Sequence, residues 1–142
     1  MRQAVARAAS ASAREQALIR ALATRYSADP LAPRAPLDSA YARAMEEVAR
    51  ANPEDAEISV LYAESVMDLS PWQYWTKEGE PRPRTPEVLS TLERVIAANE
   101  NHPGACHFYI HAVEAVHPER ALPCAERLAA LMPGAGHIVH MP

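Results

Sequence analysis

The chain has 142 residues, 49% of them apolar and 23% charged, with a formal net charge of −4. That is enough chain to bury the core of one ordinary domain, and its mild acidity gives no electrostatic reason to expect nucleic acid or an anionic membrane as partner. No apolar run approaches the roughly 20 residues of a membrane-spanning helix, so the expectation is a soluble cytoplasmic protein with a single domain over residues 1–142.

Thirteen prolines and four glycines punctuate the chain, and helical periodicity fills the intervals between them. Residues 4–26 read as one alanine-rich helix with Leu18, Ala21, Leu22 and Tyr26 on its apolar face. Its start carries arginine and serine but no acid before Glu15, a composition shared with organellar transit peptides. SADPLAPRAP then breaks the pattern. Over residues 37–52, Leu37, Tyr41, Met45 and Val48 recur at threes and fours. Asn52 and Pro53 end that helix, and Pro53 is expected to open the next, since its missing N–H is no loss in a first turn. Acids in that first turn suit the positive end of the helix dipole. Glu57, Glu64 and Asp68 fall with Leu61 on one face, a solvated acidic stripe unless Glu64 turns inward as a ligand or as a partner for histidine.

Residues 70–84, SPWQYWTKEGEPRPR, form the one long loop, with both tryptophans and the only lysine, Lys77. Trp72, Tyr74 and Trp75 are expected either to pack down as a lid, with indole N–H groups bonded to backbone, or to offer a stacking platform for a ligand. A helix restarts at Thr85, with Val88, Leu89, Leu92, Val95 and Ile96 inward. A turn at residues 101–104 leads into a helix over 103–116, and His117-Pro118 turns into another. Pro123 is expected to kink that last helix or delay its start. Strand signals are lacking. The fold class is therefore all-α, built of antiparallel helix pairs. Cys106 and Cys124 make no metal-ligand or redox spacing and read as buried thiols in a reducing compartment.

A weak repeat is present. Ala121, Ala125 and Leu128 precede Pro133 at the same offsets at which Tyr41, Met45 and Val48 precede Pro53. Those offsets match the end of a tetratricopeptide unit, although the turn prolines 53, 103 and 133 are irregularly spaced, which makes the repeat degenerate.

The stretch HPGACHFYIHAVE, residues 102–114, is the chief candidate for chemistry. At 100° per residue, His107, His111 and Glu114 lie within roughly 60° of one another on a helix. Residues 103–116 carry one charged side chain, Glu114, whereas an exposed helix face is normally rich in charge; such a helix is usually covered on both sides. His at i and i+4 lets two imidazoles bind one metal, but HxxxH lacks the glutamate of HExxH, so no zinc-peptidase base is implied. A buried hydrogen-bonded network of His and Glu, or a solvated stripe, would use the same residues. His137 and His140 share a face if the end of the chain is helical, and could complete a ligand set with His107 and His111; the alternative is a loose tail. Zinc is the first guess for the metal, with copper or iron next.

Four blocks, LYAE at 61–64, MDLSPWQYW at 67–75, HPGACHFYIHAVE at 102–114 and AGHIVHMP at 135–142, together resemble a family of bacterial tetratricopeptide-repeat-like proteins over residues 11–142. Tyr62 and His102, which stand within these blocks, join Trp72, Tyr74 and Trp75 as candidate ligand or lid residues. The resemblance implies a stacked helical-repeat fold within a longer protein that continues past HMP with another histidine-bearing stretch, and it brings no established reaction. The chain is expected to be an N-terminal or middle fragment, and the apolar helix face left uncapped should promote self-association. It departs from the family at Gln73-Tyr74, where an acidic-aliphatic pair is usual, so no loop-borne acid is implied. The first functional expectation is a helical-repeat interaction module that binds a peptide or protein partner. The second is a metal-dependent protein or enzyme centred on His107 and His111, its shell finished from Glu114, His137, His140 and Glu64.

Overall fold

The structure is a computed structural model and describes residues 1–141. Among these it is all-helical, with eight α-helices and one short 3-10 turn, and its one β-bridge is the isolated pair Trp75 and Pro81. No helix of the described residues is long and apolar enough to cross a membrane. The chain forms two compact units, Met1–Leu69 and Ser70–Pro142.

The first unit comprises α1 (Arg2–Arg7), the 3-10 turn Ala8–Ser10, α2 (Ala13–Ala23), α3 (Arg34–Ala51) and α4 (Ala56–Met67). The single helix expected over residues 4–26 is broken at Ser12, which closes a capping box. Its hydroxyl accepts the Glu15 N–H at 3.3 Å, while the Glu15 carboxylate accepts the Ser12 N–H at 2.8 Å. Two orphan donors are thereby satisfied, and a fresh helix starts there instead of the first one running on. Pro53 does not open α4 either. Asp55 is the N-cap and accepts the Ile58 N–H at 3.0 Å, a bond that proline has no side chain to make. The Arg14 guanidinium also grips the Asp55 carboxylate, at 2.9 Å from Nη2 to Oδ1. This ion pair holds the Asp55 carboxyl down at about 2.

α3 packs against both α2 and α4 and buries Tyr41, Ala42 and Met45. The acidic stripe on α4 is only partly solvated. Glu57 is exposed, but Glu64 and Asp68 are half-buried, Asp68 paired with Arg25, which also bonds Asp38 at 3.2 Å and lies over the Tyr41 ring. Burial first, then the neighbouring Asp68 charge, raises the Glu64 carboxyl above its ordinary value. Tyr62 is buried in α4.

The second unit comprises the loop 70–84, α5 (Thr85–Ala98), α6 (Pro103–Val113), α7 (Pro118–Leu131) and α8 (Gly136–His140). α6 packs on α5 and on α7, and α7 packs on α8. Flanked by two helices, α6 buries Ala105, Cys106, Tyr109, Ile110, Ala112 and Val113, which accounts for its shortage of charge. One polar knot ties the three helices together. The Tyr109 hydroxyl on α6 donates to Glu93 on α5 at 2.8 Å, and Arg120 on α7 donates to the same carboxylate. Burial, reinforced by the Glu93 acceptor, pushes the Tyr109 phenol up to about 12. Pro123 does not delay α7, which begins at Pro118 and includes it. It stands on an exposed position, where water can serve the carbonyl that its missing N–H leaves over.

Candidate metal centre and adjoining groove

α6 sets the site. His102 caps its start, with Nδ1 accepting the Ala105 N–H at 3.2 Å, and is itself buried. Its position assigns it to holding the helix rather than to a lid. One turn on, His107 and His111 stand half-buried on the same face, with ring centroids 4.9 Å apart. The short helix α8 brings His137 against them: Nε2 of His107 and Nε2 of His137 are 3.0 Å apart, and their rings meet edge to face at 4.9 Å. The ring of His137 lies nearly parallel to that of His111, at 6.1 Å between centroids.

Each of the three histidines offers one ring nitrogen, and these nitrogens all lie within 4.8 Å of one another. Zn–N bonds of 2.0–2.1 Å in a tetrahedral shell place ligand nitrogens about 3.3 Å apart. The His107–His137 pair is already near that spacing. A pair at the 4.8 Å limit closes to that spacing by a swing of about 1–1.5 Å in one ring. Three imidazoles therefore fit a borderline transition-metal ion.

Two features bear on how these rings could act as ligands. Burial, and then the proximity of His111 and His137, lowers the His107 imidazole to about 4, so the ring is uncharged near neutrality and one of its two nitrogens keeps a lone pair. Glu114, just past the end of α6, holds His111 through its carboxylate, 3.1 Å from Nδ1. With Nδ1–H donated to that carboxylate, Nε2 becomes the coordinating nitrogen, the usual way an outer carboxylate orients a metal-binding imidazole. Of the other candidates, His140 is exposed at the end of α8 and outside the three-histidine set, and Glu64 belongs to the first unit, where it faces Tyr41, Asp68 and Arg25.

The loop 70–84 forms a groove against the end of α6. Its cavity of about 570 Å³ is lined by Trp72, Tyr74, Trp75 and Lys77 from the loop and by His111, Glu114 and Val116 from the helix end. The Trp75 indole N–H donates to the Ala112 carbonyl at 2.7 Å, as expected of a loop aromatic that packs down. The Tyr74 carbonyl accepts from the Thr85 hydroxyl at 2.6 Å and from the Arg82 N–H at 2.9 Å. Trp72 is different: it is 68% exposed, has a φ of 63°, and sets its ring edge-on to His111 at 4.9 Å. A left-handed backbone is unusual for a bulky residue.

The structure also joins groups that sequence spacing kept apart. Cys106 on α6 and Cys124 on α7 are free, buried and neighbours, with the Arg127 guanidinium alongside, and the Cys106 thiol donates to the Glu100 carbonyl at 3.5 Å. The interaction with Cys124, helped by the Arg127 charge, draws the Cys106 thiol down to about 7, while the same interaction and burial drive Cys124 up. Neither this contact nor the closeness of Trp72 to His111 has a sequence signal, because each depends on how segments far apart in the chain pack.

No family model, no curated protein and no solved structure matches this chain.

Proposed function

We propose that the protein binds a transition-metal ion, zinc in the first instance, through His107, His111 and His137, with Glu114 orienting His111. The observation that carries this reading is the convergence of three ring nitrogens from two helices within 4.8 Å. Packing alone gives no reason to set a third imidazole on the half-buried pair of α6, where burial disfavours charged forms and leaves polar atoms to be satisfied. Three protein ligands leave a fourth position for water or an exogenous ligand, the pattern of zinc sites that do chemistry rather than of purely structural ones. Copper or iron would also suit an imidazole-rich shell.

Elemental analysis of protein purified without a nickel column tests the reading, together with titration of zinc against a chromophoric chelator. Near-stoichiometric binding is expected, lost in the His107→Ala/His111→Ala double variant. Metal-free protein that shows no zinc affinity in the titration would sink it.

A second reading, a tetratricopeptide-like scaffold that binds a protein or peptide, is supported by sequential helix pairing within each unit. It is supported too by burial of Tyr41, Met45, Ala121 and Leu128 at the repeat-like positions. Under this reading a partner retained by the wild-type chain is also retained by the double-histidine variant. Loss of the partner in that variant would instead tie recognition to the metal site.

A further inference from the structure

We propose that the groove beside the histidine cluster is a binding site for a small planar aromatic anion, whose oxygen donors reach the metal while its ring lies against Trp72. This inference rests on the metal reading of the same site. His111 and Glu114 are its pivot, because they belong both to the ligand set and its support and to the groove lining. His111 therefore borders both the groove and the histidine cluster. The volume, about 570 Å³, falls in the range of small-molecule sites.

The groove is built rather than a gap between mobile segments. Trp75 is fixed to the backbone of α6, and Tyr74 is fixed to the start of α5. Gly79 turns the loop with a φ of 85°, and a Cβ placed there would touch Val116 at 3.4 Å. Against these anchored walls, Trp72 holds an exposed indole in a left-handed backbone conformation beside His111. Such strain persists only where surrounding structure enforces it, and it concentrates at ligand clamps. An indole in that position offers a stacking surface to a planar ligand.

Charge selects the ligand's sign. Among the lining residues Lys77 stands against Glu78 and Glu114, which leaves the groove net negative without metal. A divalent ion at its edge makes it net positive, and Lys77 then supplies a second attraction for a carboxylate or a related oxygen anion. The chemical class is accordingly an aromatic carboxylate, for which a hydroxamate is a stronger metal-binding surrogate.

Cobalt-loaded protein tests this with two probes, benzohydroxamate and acetohydroxamate, by the visible cobalt spectrum and tryptophan fluorescence. Benzohydroxamate is expected to shift the cobalt bands and to bind at least about 10-fold more tightly than acetohydroxamate. Trp72→Asn, which tolerates the left-handed backbone, should bring the two affinities together without changing cobalt affinity, whereas Trp72→Phe should keep the preference. Lys77→Met should weaken both probes alike. Equal affinities in the wild-type protein, or a preference that survives Trp72→Asn, would overturn the ligand site and leave the metal site standing. Absence of cobalt binding would overturn both.

Discussion

At the scale of single residues, local spacing made half of the site legible. His107 and His111 are four apart on one helix, so any helical fold puts them on one face, and Glu114 lies within reach of His111 for the same reason. His137 was visible only as a candidate equal to His140, because the choice between them depends on how α8 lies against α7. Its first turn carries His137 to the cluster and leaves His140 outside it. The asymmetry gives a prediction. Glu114→Ala should reduce zinc affinity about 10–100-fold, the typical effect of losing an outer-shell carboxylate, while His140→Ala should leave it unchanged. Competition titrations of the two variants would check this, and a loss in His140→Ala equal to that in Glu114→Ala would place the ligand set elsewhere.

At the scale of elements, periodicity and prolines placed the starts of α5, α6 and α7, at Thr85, Pro103 and Pro118, but missed starts in the first unit. The apolar faces expected over 37–52 and 85–99 form in α3 and α5, and the helix expected over 103–116 forms over Pro103–Val113, because burial of one stripe is a property of the whole segment. The starts missed in the first unit depend instead on single hydrogen bonds. The Ser12–Glu15 box breaks what looked like one long helix, and Asp55 displaces Pro53 as the beginning of α4. Asp55 has two tasks that substitution can separate. Asp55→Ala removes both the cap and the Arg14 ion pair and should destabilise the protein by about 1–2 kcal/mol. Asp55→Asn keeps a good cap and removes only the charge, so most of that stability should return. The pH dependence follows in sign. The Asp55 carboxyl stands at about 2 in the folded protein, against an ordinary 3.8. The stability it contributes is therefore complete above about 4 and is lost as the pH falls towards 2, because the unfolded chain takes up the proton first. Chemical denaturation of the wild-type and Asp55→Asn proteins between pH 5 and 2 should show a shallower acid loss in the variant. Parallel curves would mean that the ion pair does not form in solution.

At the scale of the whole molecule, the three clustered histidines lie entirely within the second unit, on the first and third of its last three helices. Side-chain charge hinted at this organisation: a helix almost without ionic residues had to be covered, and α6 is covered by α5 and α7. What covers it, and what α8 adds, depends on contacts between segments remote in sequence. The three-helix knot of Glu93, Tyr109 and Arg120 is of this kind and has no local signature. Because α6 and α8 make contact through α7 and through the histidines themselves, a metal ion joining them should act as a clasp on that unit. Zinc at about 100 times its dissociation constant should stabilise the folded state by about 2.7 kcal/mol. Hydrogen exchange should then slow in α6, α7 and α8, with the largest change in α8, whose five residues have the fewest internal bonds to protect them. Exchange in α2, α3 and α4 should change little by comparison. Protection spread evenly over the chain would argue for a general effect of zinc on surface carboxylates instead, and protection absent from α8 would remove His137 from the shell.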